Sequence, residues 1–172
     1  MTDTSTTTAG TTTIPVEEFR TALLTMLDEA FSGSASPQTF FTDKGTSLFE
    51  TLDGIDAATA SRVFSDRATN IAAQVNHIRF YLDVLMEGLQ TGWKPADWPG
   101  SWQVGEVSEA EWQELVDRLK ASYAQVRAFA VTNGTWNSDY LGGGIAIVAH
   151  TAYHLGEIRV SLAALGVPEA SA

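Results

Sequence analysis

Two histidines, His150 and His154, stand four residues apart in the stretch HTAYHLGEIRV, inside a segment that carries no charge from 140 to 156. At 3.6 residues per turn they lie about 40° apart on one helix face, so both imidazoles can turn to a single ion. This i, i+4 spacing is a recurrent way for a helix to chelate. Two imidazoles leave a metal mostly in water, so a third ligand must come from another element. The chain contains three histidines and no cysteine, which makes His77 the candidate. Three neutral imidazoles without a thiolate suit zinc, nickel, iron or copper better than magnesium or calcium. Three protein ligands also leave one position open to water or substrate, as in catalytic sites. Binding of this kind weakens as pH falls through the histidine range, because each ring must be neutral to coordinate. The competing reading is three hydrogen-bonded core histidines, since a short H-x-x-x-H motif also arises by chance.

Helical wheels place further residues around these rings. Asn70, Gln74, Tyr81 and Val84 share the face of His77; Gly143, Ala146, Tyr153, Glu157 and Ser161 flank the His150–His154 face. The small residues are expected to leave room for a cavity. Glu157, near one turn beyond His154, is the candidate catalytic residue as a general base, or else a partner that orients an imidazole; an ion-paired surface glutamate is the alternative. Gln74 and Tyr81 are expected to orient the ring of His77 from behind, and Tyr153 is a further candidate beside the pair. Arg79 and Arg159 fall away from the histidine faces, toward salt bridges or solvent. Trp93, Trp98 and Trp102 either roof the site, contact a second subunit or anchor an irregular loop.

The elements that must position these residues read as helices. Val16, Phe19, Leu23, Met26, Leu27 and Ala30 recur at helical period after Pro15, with Glu17 and Glu18 in the first turn. A looser segment spans 38–66, with a helical turn expected around 47–52. A second long helix is predicted over 68–90, carrying His77. Residues 91–106, TGWKPADWPGSWQVGE, are too rich in glycine, proline and tryptophan to be regular, and a connection of this length is a crossover or functional loop. Ser108 and Glu111 form a capping box before Trp112, Leu115, Leu119, Val126 and Ala130, with Arg127 expected to face the negative end of that helix. The last helix is predicted over 141–165. Four long helices with two long connections give an all-α four-helix bundle with long crossover connections.

Composition narrows the partners. A chain of 172 residues with a formal net charge of −11 lacks the basic face that nucleic acid requires, and acidity disfavours anionic membranes. The threonine-rich residues 1–12 are expected to be a disordered tail, 13–168 the bundle and 169–172 a short C-terminal tail. The tail has no basic and apolar signal pattern, the uncharged run is short for a span, and the absence of cysteine fits a reducing cytoplasm. Apolar residues on the other side of the last helix (Leu141, Ile145, Val148, Ala152, Leu155) call for cover by chain segments or by a second subunit, and a homodimer is expected.

NHIRFYLDVL around His77, DWPGSW in the crossover and HTAYHLGEIR around the histidine pair together resemble the DinB-like (YfiT-like) four-helix bundles, over roughly 15–165. The resemblance implies one divalent metal, zinc or nickel, held by His77, His150 and His154. Glu157 stands where such proteins often carry glutamine. The family includes hydrolase-like members and transferases or isomerases that use low-molecular-weight thiols such as mycothiol or bacillithiol. It therefore implies a metal-dependent enzyme acting on a small molecule whose identity the sequence does not name. A non-catalytic metal-binding or interaction module and a purely structural bundle are the alternatives.

Overall fold

The computed structural model describes residues 13–168; the expected tails at 1–12 and 169–172 lie outside the described residues. All regular structure among them is helical: α1 (Val16–Phe31), α2 (Leu48–Asp53), α3 (Ala57–Ala60), α4 (Ile71–Thr91), α5 (Glu109–Thr132) and α6 (Ser138–Ala164), with a 3-10 turn at Gly100–Trp102. The four long helices close a ring in which α4 packs on α5 and α6, and α1 packs on the same two from the other side. Leu27, Phe31, Ile71, Ile78, Leu82, Trp112, Leu119 and Ile158 fill the interior and are fully buried. No helix among the described residues is long and apolar enough to cross a membrane.

Local chemistry sets the boundaries. Asn70 accepts from the Ala73 N–H at 2.7 Å, and α4 starts at Ile71, three residues later than its periodicity suggests. Asn137 likewise accepts from Tyr140 N–H at 2.9 Å, so α6 begins at Ser138, three residues before the predicted start at 141. The Ser108–Glu111 capping box forms as read. A second one, Ser47–Glu50, nucleates α2, and α3 was not visible in the sequence. Arg127 does not serve the end of α5. It reaches across to α1 and makes a two-nitrogen contact with Asp28 at 2.7 and 2.9 Å.

Two glycines of α6 face neighbouring helices rather than a cavity. A Cβ at Gly144 would stand 2.7 Å from Leu23 Cδ2, and one at Gly143 would stand 3.4 Å from Leu89 Cδ1. The space beside these glycines is thus filled by α1 and α4.

The segment after α1 is held by a buried acid. Glu29 is fully buried, and its carboxylate accepts the backbone N–H groups of Phe40, Phe41 and Thr42 at 2.6–2.9 Å. Burial works to raise its pKa, but the backbone donors outweigh it and hold the carboxyl below its ordinary value. Glu29→Ala strands those three N–H groups and is expected to cost about 3 kcal/mol of stability. Urea denaturation against the parent measures it; a loss below about 1 kcal/mol would show that water replaces the carboxylate.

Candidate metal centre

Three imidazoles meet where α4 passes α6. His77 and His154 are buried and His150 is partly buried, and their ligand nitrogens all lie within 4.8 Å of one another. His77 Nε2 and His150 Nε2 stand 3.2 Å apart. Two imidazole nitrogens at about 2.05 Å from one tetrahedral ion are separated by about 3.3 Å, so the spacing matches an edge of such a site.

The outer edges of the rings decide which nitrogens face inward. The Ser101 hydroxyl lies 2.6 Å from the Trp98 carbonyl, which can only accept, so Ser101 donates there. Ser101 therefore accepts from His77 Nδ1–H at 2.7 Å, and His77 keeps its Nε2 lone pair. On His154, Nδ1 lies 3.0 Å from Glu157 Oε2 and 3.3 Å from Gln74 Oε1. Both oxygens accept, so this ring also carries its proton on Nδ1 and leaves Nε2 available. His150 Nδ1 is buried without a partner among the described residues, whereas the other two rings each have an outer hydrogen bond. Two fixed tautomers with free Nε2 atoms, together with a third ring at coordination spacing, fit a divalent ion of intermediate softness.

Stacking fixes the ring planes. Trp102 lies over His77 with centroids 3.9 Å apart, and Tyr81 over His150 at 3.8 Å and 9°. Trp98 approaches His77, Phe80 and Tyr81, while Tyr153 meets His154 edge-on at 4.9 Å. Trp98 and Trp102 thus cover the histidines, whereas Trp93 remains exposed.

All three histidines converge as read from the sequence, but their supporting residues are reassigned. Gln74 holds His154 rather than His77, because it enters α4 one turn earlier, opposite the end of the α6 pair. Tyr81 stacks on His150. The partner of His77 is Ser101, which sequence reasoning missed because it comes from the crossover. The available signal was the turn DWPGSW: Asp97 accepts from Gly100 N–H at 3.0 Å, and a Cβ at Gly100 would strike that carboxylate at 2.2 Å. The same loop is tied to α4 by Asn76, which donates to the Ser101 carbonyl, and by Asn70, which donates to those of Val104 and Gly105. Arg79 pairs with Asp83, as its position away from the cluster led one to expect.

The sequence model of the DinB superfamily matches residues 41–158, more than half of the chain and all of the histidine cluster. The chain belongs to the DinB superfamily. The match is narrower than the resemblance over 15–165, and it leaves out α1, which nevertheless packs as part of this DinB bundle. No curated protein and no solved structure gives a significant match.

Burial sets the acid–base behaviour of the cluster. Desolvation first, then the neighbouring rings, pushes His77 down to about 4 and His150 to about 3. Burial also lowers His154, against an opposing pull from Glu157. The cluster thus stays neutral below the ordinary histidine range, and the pH window for proton competition moves down with it. Above pH 6.5 neither folded nor unfolded chain protonates His77 or His150; between 6.5 and about 4 only the unfolded chain does. The metal-free protein is therefore expected to lose stability as pH falls across that interval. Calorimetry from pH 7 to 5 checks this: His150→Gln should flatten the slope, and an equal slope in both proteins would contradict the shifts.

Proposed function

We propose that the protein is a metal-dependent enzyme in which His77, His150 and His154 hold one divalent transition metal, zinc or nickel, through their Nε2 atoms. The observation that carries this reading is the pair of acceptors behind the rings, Ser101 behind His77 and Glu157 behind His154, which turn both lone pairs toward His150. A bound ion of this kind supplies Lewis acidity, lowering the pKa of a water or a substrate thiol at the position that protein ligands leave open. The chain's own residues hold and orient. Ser101 fixes one proton on His77 Nδ1, and Glu157 fixes another on His154 Nδ1 and makes that ring a stronger donor through Nε2. In this reading Glu157 is a positioning residue rather than a general base, because it sits on the far edge of the ring from Nε2. Trp102 and Tyr81 prevent ring rotation. Two reaction classes suit the arrangement, hydrolysis and transfer to a low-molecular-weight thiol. The second agrees with a cysteine-free chain, which needs its thiol from a cosubstrate, and with a cytoplasmic setting that keeps such thiols reduced.

Elemental analysis of tag-free protein is expected to find one zinc or nickel per chain. His154→Ala should lose at least about tenfold in metal affinity, the range seen when even a supporting group is removed, while keeping its helicity. Ser101→Ala should weaken binding by a smaller factor. A folded wild type that takes up neither metal would defeat the reading.

We also propose a homodimer, through a smaller surface than the sequence pattern outlined. Leu155 is buried within the chain, and the loop tryptophans Trp98 and Trp102 cover histidines. What is left is an apolar groove of about 280 Å³ between α1 and α6, lined by Phe19, Met26, Ile145 and Val148, with Ile145 59% exposed. Light scattering at micromolar concentration should give twice the chain mass, and Ile145→Asp should give a folded monomer. A monomeric wild type, or a dimer indifferent to this change, would rule out this surface.

A further inference from the structure

On the side of His154 that carries Glu157, a groove of about 480 Å³ runs between α6 and the segment 64–69. Its volume is within the range of small-molecule sites. Gly156 borders it from within α6, where glycine weakens a helix relative to alanine. A Cβ built at Gly156 meets no atom within 4 Å. Nothing among the described residues requires that glycine, unlike Gly144 against Leu23; its effect is to keep the groove open.

The polar lining has a sign. Gln74 is only 3% exposed. Its carbonyl oxygen faces His154, and its amide nitrogen has no hydrogen-bond partner among the described residues. Arg67 lines the same groove and has no ion-pair partner among the described residues. Both lie near the start of α4, whose first turn carries no acidic residue to offset its positive end. All of these groups are hydrogen-bond donors or positive charge, which suits an anion rather than a cation. The one carboxylate lining the groove, Glu157, is already engaged by His154 Nδ1. Phe64 and Val160 supply apolar walls and are 45% and 63% exposed.

We propose that this groove binds a low-molecular-mass organic carboxylate with an apolar body, its carboxylate held by Arg67 and the Gln74 amide and its body lying along Gly156 between Phe64 and Val160. The inference goes beyond the metal reading and stands on groups that do not include the three imidazoles. Occupancy is coupled to the cluster through Gln74 and Glu157, which both hold His154.

The test uses 3-phenylpropionate and its uncharged amide, titrated into isotope-labelled full-length protein and followed by NMR. The acid should give saturable shifts at 64–69 and 156–161, and the amide should bind about tenfold more weakly or worse, as should the acid to Arg67→Gln. Gly156→Leu places a helix-favouring side chain in open space, so it should keep or raise the melting temperature while abolishing binding. Absence of saturation, equal binding of acid and amide, or undiminished binding to Gly156→Leu would each overturn the proposal. Zinc uptake measured on the same samples separates the two readings: protein that binds no zinc sinks the metal centre, while the groove is still judged by phenylpropionate alone.

Discussion

Keeping three uncharged imidazoles against one another inside a protein is the constraint on which the rest of this structure turns. Each ring has two nitrogens, and in a buried place both must be accounted for. Ser101 and Glu157 take the outer edges of two rings, which sends their lone pairs inward and makes the cluster electron-rich at its centre. The acceptors come from different elements, one from the crossover and one from α6 itself. The position of the loop is therefore as much a part of the site as the helices are.

This explains why residues 91–106 are long, irregular and nonetheless tightly held. A shorter α4–α5 connection could not carry Ser101 back over His77 while placing Trp98 and Trp102 against the rings. The loop is fixed through its own backbone carbonyls, which accept from Asn70 and Asn76 of α4. Pro99 and Gly100, with Asp97, form the turn that presents Ser101. Tryptophan here covers polar rings and is not merely bulk for a core.

Much of this was legible in the sequence, and for identifiable reasons. The histidine pair and the four long helices follow from periodicity, because apolar spacing and wheel geometry are local properties, and His77 follows as the one histidine left. The capping box at Ser108 is a three-residue signal and held. What escaped depends on contacts across the chain. Ser101 meets His77 through a turn with no period, and Gln74 serves His154 because α4 and α6 cross at an offset that a single-helix wheel does not contain. Arg127 looked like a dipole complement, yet Asp28 on α1 offered a paired carboxylate and took it. Gly143 read as room for a cavity because a single-helix wheel cannot say that Leu89 fills it.

The two inward-facing nitrogens of His77 and His150 come from positions 73 residues apart along the chain. An ion shared between them closes a loop of that length, and closing a long loop removes conformational freedom from the unfolded ensemble in the manner of a disulfide. In a chain with no cysteine, coordination would then be the only cross-link of that reach available from side chains. It would tie α4 to α6, the two members of the ring whose crossing sets the site. Such a protein would owe part of its folding cooperativity to the element it carries, and the supply of that element would govern how much folded protein persists.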